Sequence, residues 1–236
     1  MKKLFTIIAL LAIVFVHAGC EKVSPVGPVV NEKRSVSSFN KIELRFDANV
    51  IFTHSGSKSV EVEASQNIQS LILTEVNGST LVLKTLPNTK IDEGDVTIYI
   101  SNPSLSGINL NGNGEFTSET GISGATMNIR VNGNGNVNLK ELTAHMLDAD
   151  ISGNGGISIN TGTVLKQDVK VSGNGSYRAE YIESNEASVK ITGNAGAWIW
   201  VSEKLNAVIT GSGNIWYKGA PVINSTITGS GKVKPL

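Results

Sequence analysis

The second half of this chain repeats one short turn at an almost constant interval. Each turn is a glycine, a small polar residue and a second small residue: Gly112-Asn113-Gly114, Gly133-Asn134-Gly135, Gly153-Asn154-Gly155, Gly173-Asn174-Gly175, Gly193-Asn194-Ala195, Gly211-Ser212-Gly213 and Gly229-Ser230-Gly231. The leading glycines lie 21, 20, 20, 20, 18 and 18 residues apart. A period near twenty residues is typical of a solenoid, in which each coil buries its apolar residues only by stacking on its neighbours.

The residues on both sides of each turn alternate between apolar and polar. The position two residues before the leading glycine is always apolar: Leu110, Val131, Ile151, Val171, Ile191, Ile209 and Ile227. The position four residues after it is also mostly apolar: Phe116, Val137, Ile157, Tyr177, Ala197, Ile215 and Val233. A period of two predicts strands with one buried face, so we expect both columns to lie in the core.

A weaker apolar stretch closes each coil: Leu142, Leu147, Val164, Leu165, Ile182, Leu205, Val222 and Ile223. Two strong sides and one loose side predict an all-β fold, a single-stranded parallel β-helix whose coils stack roughly 4.8 Å apart. Regular coils are expected over residues 106–236.

The turn sequence suits a sharp bend, because glycine and asparagine tolerate a positive φ. Stacked coils would place the central asparagines in one file: Asn113, Asn134, Asn154, Asn174 and Asn194. We expect this ladder to be structural and to hydrogen-bond along the solenoid axis, with a ligand site as the alternative. No metal is expected, because calcium-binding solenoids need aspartate in the turn and none of these turns has a carboxylate.

The chain ahead of the regular array is also β but less regular. Residues 41–46, 60–64, 81–84 and 96–100 alternate apolar and polar, and Asn77-Gly78 is typical of a tight hairpin. We interpret residues 38–105 as irregular first coils whose hairpin caps the end of the solenoid. A separate small β domain is the alternative.

The N-terminus has the organisation of a secretion signal. Positive charge precedes an apolar run over residues 4–16 that is too short to span a membrane. Ala18-Gly19-Cys20 resembles the lipobox of bacterial lipoproteins, although His17 stands where leucine is usual. The resemblance implies a signal peptide over residues 1–19 and lipid attachment at Cys20, the only cysteine. An unpaired thiol beside a cleaved or retained signal is the alternative.

The residues after Cys20 bear on location. Glu21, rather than aspartate, follows the cysteine, which by the same resemblance implies an outer membrane lipoprotein, either periplasmic or surface-exposed. Residues 20–37 contain Pro25 and Pro28 and are predicted as a tether between the lipid and the folded part.

Composition and motifs exclude several functions. The formal net charge is zero and no basic run follows the signal, so a nucleic-acid partner is not expected. His145 with Asp148 and Asp150 could form an acid/base cluster, but a polar segment facing solvent explains them equally well. No nucleophile elbow or phosphate-binding loop is present, so neither an enzyme nor a cofactor is predicted.

An aromatic file is the clearest candidate for a binding site. Trp198 and Trp216 lie five residues after their leading glycines, with Arg178 at the same position one coil earlier and Trp200 on the same strand as Trp198. Exposed aromatic side chains suit a sugar-binding face. Alternatively, Gly196 shifts the register by one residue and turns the indoles into the core.

Several of these motifs resemble a known family. The turns followed by an apolar strand, such as Gly153-Asn154-Gly155-Gly156-Ile157, and the upstream segment 39–44 are similar to the head GIN domain family of bacterial adhesins, often found in lipoproteins of Bacteroidetes. The resemblance covers nearly the whole mature chain. It implies a β-helix at the cell surface without catalytic residues.

Three functional hypotheses follow. The first is an adhesin anchored to the membrane by its N-terminal lipid, which binds a glycan or a surface protein through a lateral face. The second is an envelope scaffold that binds another protein, through the exposed C-terminal coil. The third, a polysaccharide-degrading enzyme, lacks a supporting acidic or basic cluster.

Overall fold

The computed structural model describes residues 21–92 and 96–236. They form a β-solenoid of about six turns with coils of roughly 20 residues, which confirms the predicted fold class. The predicted signal peptide over residues 1–19 and Cys20 lie outside the described residues.

Strands account for most of the described chain. The first part contains β1 (Glu21–Val23), β2 (Val29–Lys33), β3 (Lys41–Leu44), β4 (Asn49–His54), β5 (Ser59–Ser65), a 3₁₀ helix (Gln66–Leu71), β6 (Ile72–Asn77), β7 (Thr80–Thr85), β8 (Thr89–Ile91) and β9 (Thr97–Asn102). The regular coils contain β10 (Gly107–Gly112), β11 (Glu115–Gly133), β12 (Asn136–Gly153), β13 (Gly156–Ile159), β14 (Gly162–Gly173), β15 (Ser176–Gly193), β16 (Gly196–Gly211), β17 (Asn214–Lys218), β18 (Val222–Gly229) and β19 (Lys232–Pro235). β1 and β8 pair with each other, and the other strands form one continuous sheet.

Consecutive coils stack in parallel with equivalent residues paired. Ile151 on β12 pairs with Val131 in the coil before it and with Val171 in the coil after it. The shorter coils keep this register at the turns, and their missing residues are absorbed on the third side, where β15 and β16 shift register twice between Ala179 and Glu186. Two sides of each coil are therefore fixed in register, and the third side accommodates changes in length.

Both apolar columns are buried in the first six coils, as predicted. In the last described coil, Ile227 is 41% exposed and Val233 is half-buried, because no described coil packs on their outer side. On the third side, Leu165, Val222 and Ile223 are also exposed, while the other residues of that stretch lie in the core. Leu165 follows buried Val164 and points outward by strand alternation.

The turns differ from the prediction in one respect. Only the leading glycine adopts a positive φ, between 111° and 125° across the seven turns, whereas the central and third residues do not. The third residue is small for a different reason: a Cβ at Gly155 would collide with the carbonyl oxygen of Gly135 in the preceding coil. Close stacking of the coils therefore limits this position, and Ala195 is the largest residue found there.

Substitution of a leading glycine should destabilise the solenoid. Gly153 has a φ of 125°, and a Cβ there would collide with the carbonyl oxygen of Gly133. We expect Gly153→Ala to lower the free energy of unfolding, measured in urea, by about 3 kcal/mol. Gly124→Ala is the matched control, because a Cβ at Gly124 meets nothing within 4 Å. Equal losses in the two variants would contradict this account.

The first coils are continuous with the regular array. β3 pairs with β10 and β4 with β11, so residues 38–105 extend the solenoid rather than form a separate domain. The predicted hairpin is present between β6 and β7, and Gly78 in its turn has a φ of 61°. β7 covers the outer edge of β3, while β9 covers that of β4. These strands cap the first end of the solenoid.

Part of the predicted tether forms paired strands, which corrects the prediction for those residues. β1 pairs with β8, and β2 runs antiparallel to β5. The buried Gln69 side chain donates to the Val30 carbonyl at 2.8 Å and accepts from Arg34 at 2.7 Å. An edge strand such as β5 offers free backbone groups, and β2 satisfies them. Pro25 and Pro28 lie between the two strands and interrupt neither.

Candidate binding face

The outward side of the last coils carries stacked indole rings. Trp198 alternates with Ala197 and Ile199, which are both fully buried, so the Trp198 side chain points away from the core. Trp216 pairs in register with Trp198 one coil later. Both indoles are half-buried on the outer surface, and Gly196 does not shift the register.

Two cations close the ends of this stack. The rings of Trp198 and Trp216 lie 6° from parallel, with their centroids 4.4 Å apart. The Arg178 guanidinium carbon lies 4.1 Å from the Trp198 ring centroid, and Lys234 Nζ lies 5.1 Å from that of Trp216. We call these four residues the indole row. Stacking and cation–π contacts each contribute about 0.5–1.5 kcal/mol, so the row is held in place without a ligand.

Trp200 forms a second contact of the same kind beside the row. Lys218 Nζ lies 3.7 Å from its ring centroid. The Trp200 backbone pairs with Glu183 in the preceding coil. A second carboxylate, on Glu180, lies 3.7 Å from Arg178. Both of these carboxylates are on β15, on the side away from the last coil, and a third, on Glu203, is exposed on β16 three residues after Trp200.

Gly196 makes room for the indole row, a role that the sequence did not reveal. A Cβ at Gly196 would lie 2.5 Å from Cη2 of Trp198 and 3.3 Å from Cζ3 of Trp216. The indoles therefore lean back along their strands over this glycine. A sequence pattern could have indicated this role. Gly196 lies two positions before Trp198, and residues two apart on a strand share one face of the sheet.

The indoles of the row present their edges to solvent rather than their faces. Trp198 is covered by Arg178 on one side and Trp216 on the other, and Trp216 is covered by Trp198 and Lys234. Within the described residues, none of the three indole N–H groups has a hydrogen-bond partner, and none is a buried unsatisfied atom. Their N–H groups therefore remain accessible to solvent.

The predicted asparagine hydrogen bonds are present on another side of the solenoid. Along the file of Asn113, Asn134, Asn154, Asn174 and Asn194, each Nδ2 donates to the Oδ1 of the preceding asparagine, at 2.8, 2.8, 2.9 and 3.4 Å. Because the amides use one another as partners, this file acts as part of the scaffold.

The asparagine file begins at a carboxylate that sequence reasoning missed. Asn113 donates to Asp47 through both its backbone N–H and its side-chain amide, each at 3.0 Å. A charged acceptor strengthens this end of the file. A spacing in the sequence could have indicated this contact. Leu44 and Val50 are six residues apart, as are Leu110 and Phe116, and this alignment places Asp47 at the turn position of Asn113.

A buried polar pair lies behind Arg178. The Tyr177 hydroxyl donates to Gln167 Oε1 at 2.6 Å, and both side chains are fully buried. Burial raises the pKa of Tyr177, so the phenol stays protonated. The pair belongs to the core and does not reach the outer face.

The possible acid/base cluster gains no support. His145, Asp148 and Asp150 lie along β12, with the histidine exposed and the two carboxylates half-buried. Across residues 21–92 and 96–236, no group of three or more His, Cys, Asp or Glu side chains could hold a metal ion. A membrane-spanning helix is likewise not found in the described chain.

The fold and its outer face define a β-solenoid domain that offers an extended lateral surface built from stacked coils. Residues 38–221 match the family described as "Putative auto-transporter adhesin, head GIN domain", and the chain belongs to this family. The resemblance seen in the sequence is thereby confirmed. A search among curated proteins finds no match.

Solved structures show the same fold. The chain is similar to an adhesin-type protein from Bacteroides fragilis, with 26% identity over 91% of this chain and 100% of that chain, and a TM-score of 0.84. A second, from Parabacteroides distasonis, has 24% identity over 92% and 100%, with a TM-score of 0.76. A "putative lipid binding protein" of the same species has 22% identity over 92% and 100%, and a TM-score of 0.79. The last two likenesses concern the fold alone.

Proposed function

We propose that this chain is an envelope-anchored adhesin that binds a ligand through the face carrying the indole row. The family and the B. fragilis relative are described as adhesins, which supports a role at the cell surface or envelope. The observation that carries the proposal is the indole row itself. The same outward position holds Thr117, Asn138 and Ser158 in earlier coils, so the aromatic side chains are confined to the last ones.

The row is suited to adhesion because it is rigid before binding. Its side chains are held by one another and by a continuous sheet, so binding orders no loop and little side-chain entropy is lost. A flat site of this kind binds weakly by itself. Many copies anchored to one cell would raise the overall strength of attachment through multivalency.

Trp216→Ala tests this function. The substitution removes one of the two stacked rings and leaves Trp198 and Lys234 without their shared partner. We expect retention on immobilised glycans or matrix proteins to fall about tenfold, as for a central aromatic residue of an interface. Tyr181→Ala is the matched control, because Tyr181 is 65% exposed and lies outside the row. Equal binding by both variants would overturn the proposal.

Anchoring completes the proposed function. Lipid attachment at Cys20, as the lipobox implies, would tether the protein to the membrane, and Glu21 favours the outer membrane over the inner one. β1 begins at Glu21, so the lipid would lie next to the strand pair of β1 and β8.

A second function, an envelope scaffold that binds another protein, is favoured by the last described coil. Every residue of β18 is exposed, and Val222 is 70% exposed. If Trp216→Ala leaves capture of an envelope partner unchanged while Ile227→Lys abolishes it, the last coil rather than the indole row is the binding site.

A further inference from the structure

Resting on the adhesin function proposed above, we infer that the ligand of this face is an acidic polysaccharide. It is held by the exposed edges of the indoles and by the cations around them. It does not stack its sugar rings on the faces of the indole row.

The first observation is a separation of charge along the chain. The whole protein has a formal net charge of zero, yet residues 204–236 contain four lysines and no aspartate or glutamate. Three of these lysines, Lys218, Lys232 and Lys234, occupy outward positions of β17 and β19, beside the indoles. In the described part of the chain, none of the three forms an ion pair. Their charges are therefore free to meet an anion.

The second observation is the hydrogen-bonding character of the surface. On the outward side of residues 198–200 of β16 and of β17 and β19, the polar side-chain groups are three indole N–H groups, three ammonium groups and the Asn214 amide. Among these described side chains, the amide oxygen of Asn214 is the single acceptor; further acceptors on β16 begin at Ser202 and Glu203, beyond the indoles. Because ammonium and indole groups donate without accepting, the surface matches a ligand rich in acceptors. Carboxylates and hydroxyls of an acidic polysaccharide supply them.

The third observation is the covered faces of the indoles. A neutral glycan and a single-stranded nucleic acid both use free aromatic faces, the first for its pyranose rings and the second for its bases. In the row those faces are covered by Arg178, Lys234 and the neighbouring indole. A linear polyanion needs no free face. It can follow the row across three coil steps, roughly 14 Å from Arg178 to Lys234.

The experiment compares polymers of different charge. The probes are polygalacturonate, neutral dextran, single-stranded oligothymidylate and vesicles containing phosphatidylglycerol, each titrated at low and high salt. We expect binding to polygalacturonate that weakens with salt, and little binding to the other three. Lys218→Gln combined with Lys234→Gln should weaken polygalacturonate binding about tenfold. Lys190→Gln is the control, because Lys190 is exposed on β15 at a different side of the coil.

The outcomes separate the two proposals. If dextran binds as well as polygalacturonate and the double lysine variant binds normally, the ligand is not acidic, while a Trp216→Ala defect would still support the adhesin function. If oligothymidylate or the vesicles bind more tightly than polygalacturonate, the inference is also overturned. If Trp216→Ala changes binding to none of the probes or cell-surface extracts, the proposed function fails as well. Thermal unfolding of each variant checks that the solenoid is intact.

Discussion

Ile151→Asp is expected to abolish the stable folding of the middle coils. Ile151 is fully buried, with Val131 and Val171 paired to it in the coils on either side. A carboxylate there would have no cation or donor as a partner, and burial of an unpaired charge costs several kcal/mol. This loss is comparable with the total stability of an ordinary domain, about 5–15 kcal/mol.

Urea unfolding followed by circular dichroism measures this effect. Ser152→Asp is the matched control, since Ser152 is the next residue on the same strand and is exposed. We expect the free energy of unfolding of Ser152→Asp to lie within about 0.5 kcal/mol of that of the protein without the substitution. An Ile151→Asp protein with the same urea midpoint would show that the solenoid core is wrongly placed.

Cys20→Ser is expected to shift the protein from the membrane fraction to the soluble fraction. Acyl chains contribute about 0.8 kcal/mol of membrane affinity for each buried methylene, so their loss removes most of the attachment. Metabolic labelling with a fatty-acid analogue, followed by fractionation, measures both modification and location. If the protein with Cys20 intact takes up no label, lipidation is refuted.

Glu21→Asp separates anchoring from sorting. Because the cysteine is unchanged, this variant should carry as much label as the protein without the substitution. By its resemblance to lipoprotein sorting signals, it should move from the outer to the inner membrane. Label lost in Glu21→Asp would indicate that the substitution disturbs processing rather than destination.

The periodic features of the fold could be predicted because each coil repeats the environment of the one before. In a parallel stack, Ile151 and Val171 occupy the same position relative to their turns and therefore have equivalent neighbours. An apolar residue repeated at one position therefore marks the core. The same alternation indicated an outward Trp198, but it left open a register shift at Gly196 that would turn the indoles into the core. The asparagine file followed from the turn spacing alone.

The remaining features depend on contacts that do not repeat. β2 pairs with β5 beside a 3₁₀ helix whose buried Gln69 donates to a carbonyl of each strand. Asp47 occupies a turn without the glycines that mark the other turns. The stacking of Trp198 on Trp216 depends on side-chain angles over Gly196, which a pattern of outward positions does not specify. A sequence pattern therefore located the aromatic positions but not the direction in which their rings point.

The paired register of the coils also restricts how this protein could change its length during evolution. Insertion of one residue into β12 would move Ile151 to the outer surface and break its pairing with Val131 and Val171. Insertion of a complete coil would preserve every pairing and displace the later coils by roughly 4.8 Å. Small insertions are tolerated only on the third side. Within the stacked coils, the distance between the first coil and the indole row can therefore grow only in whole-coil steps.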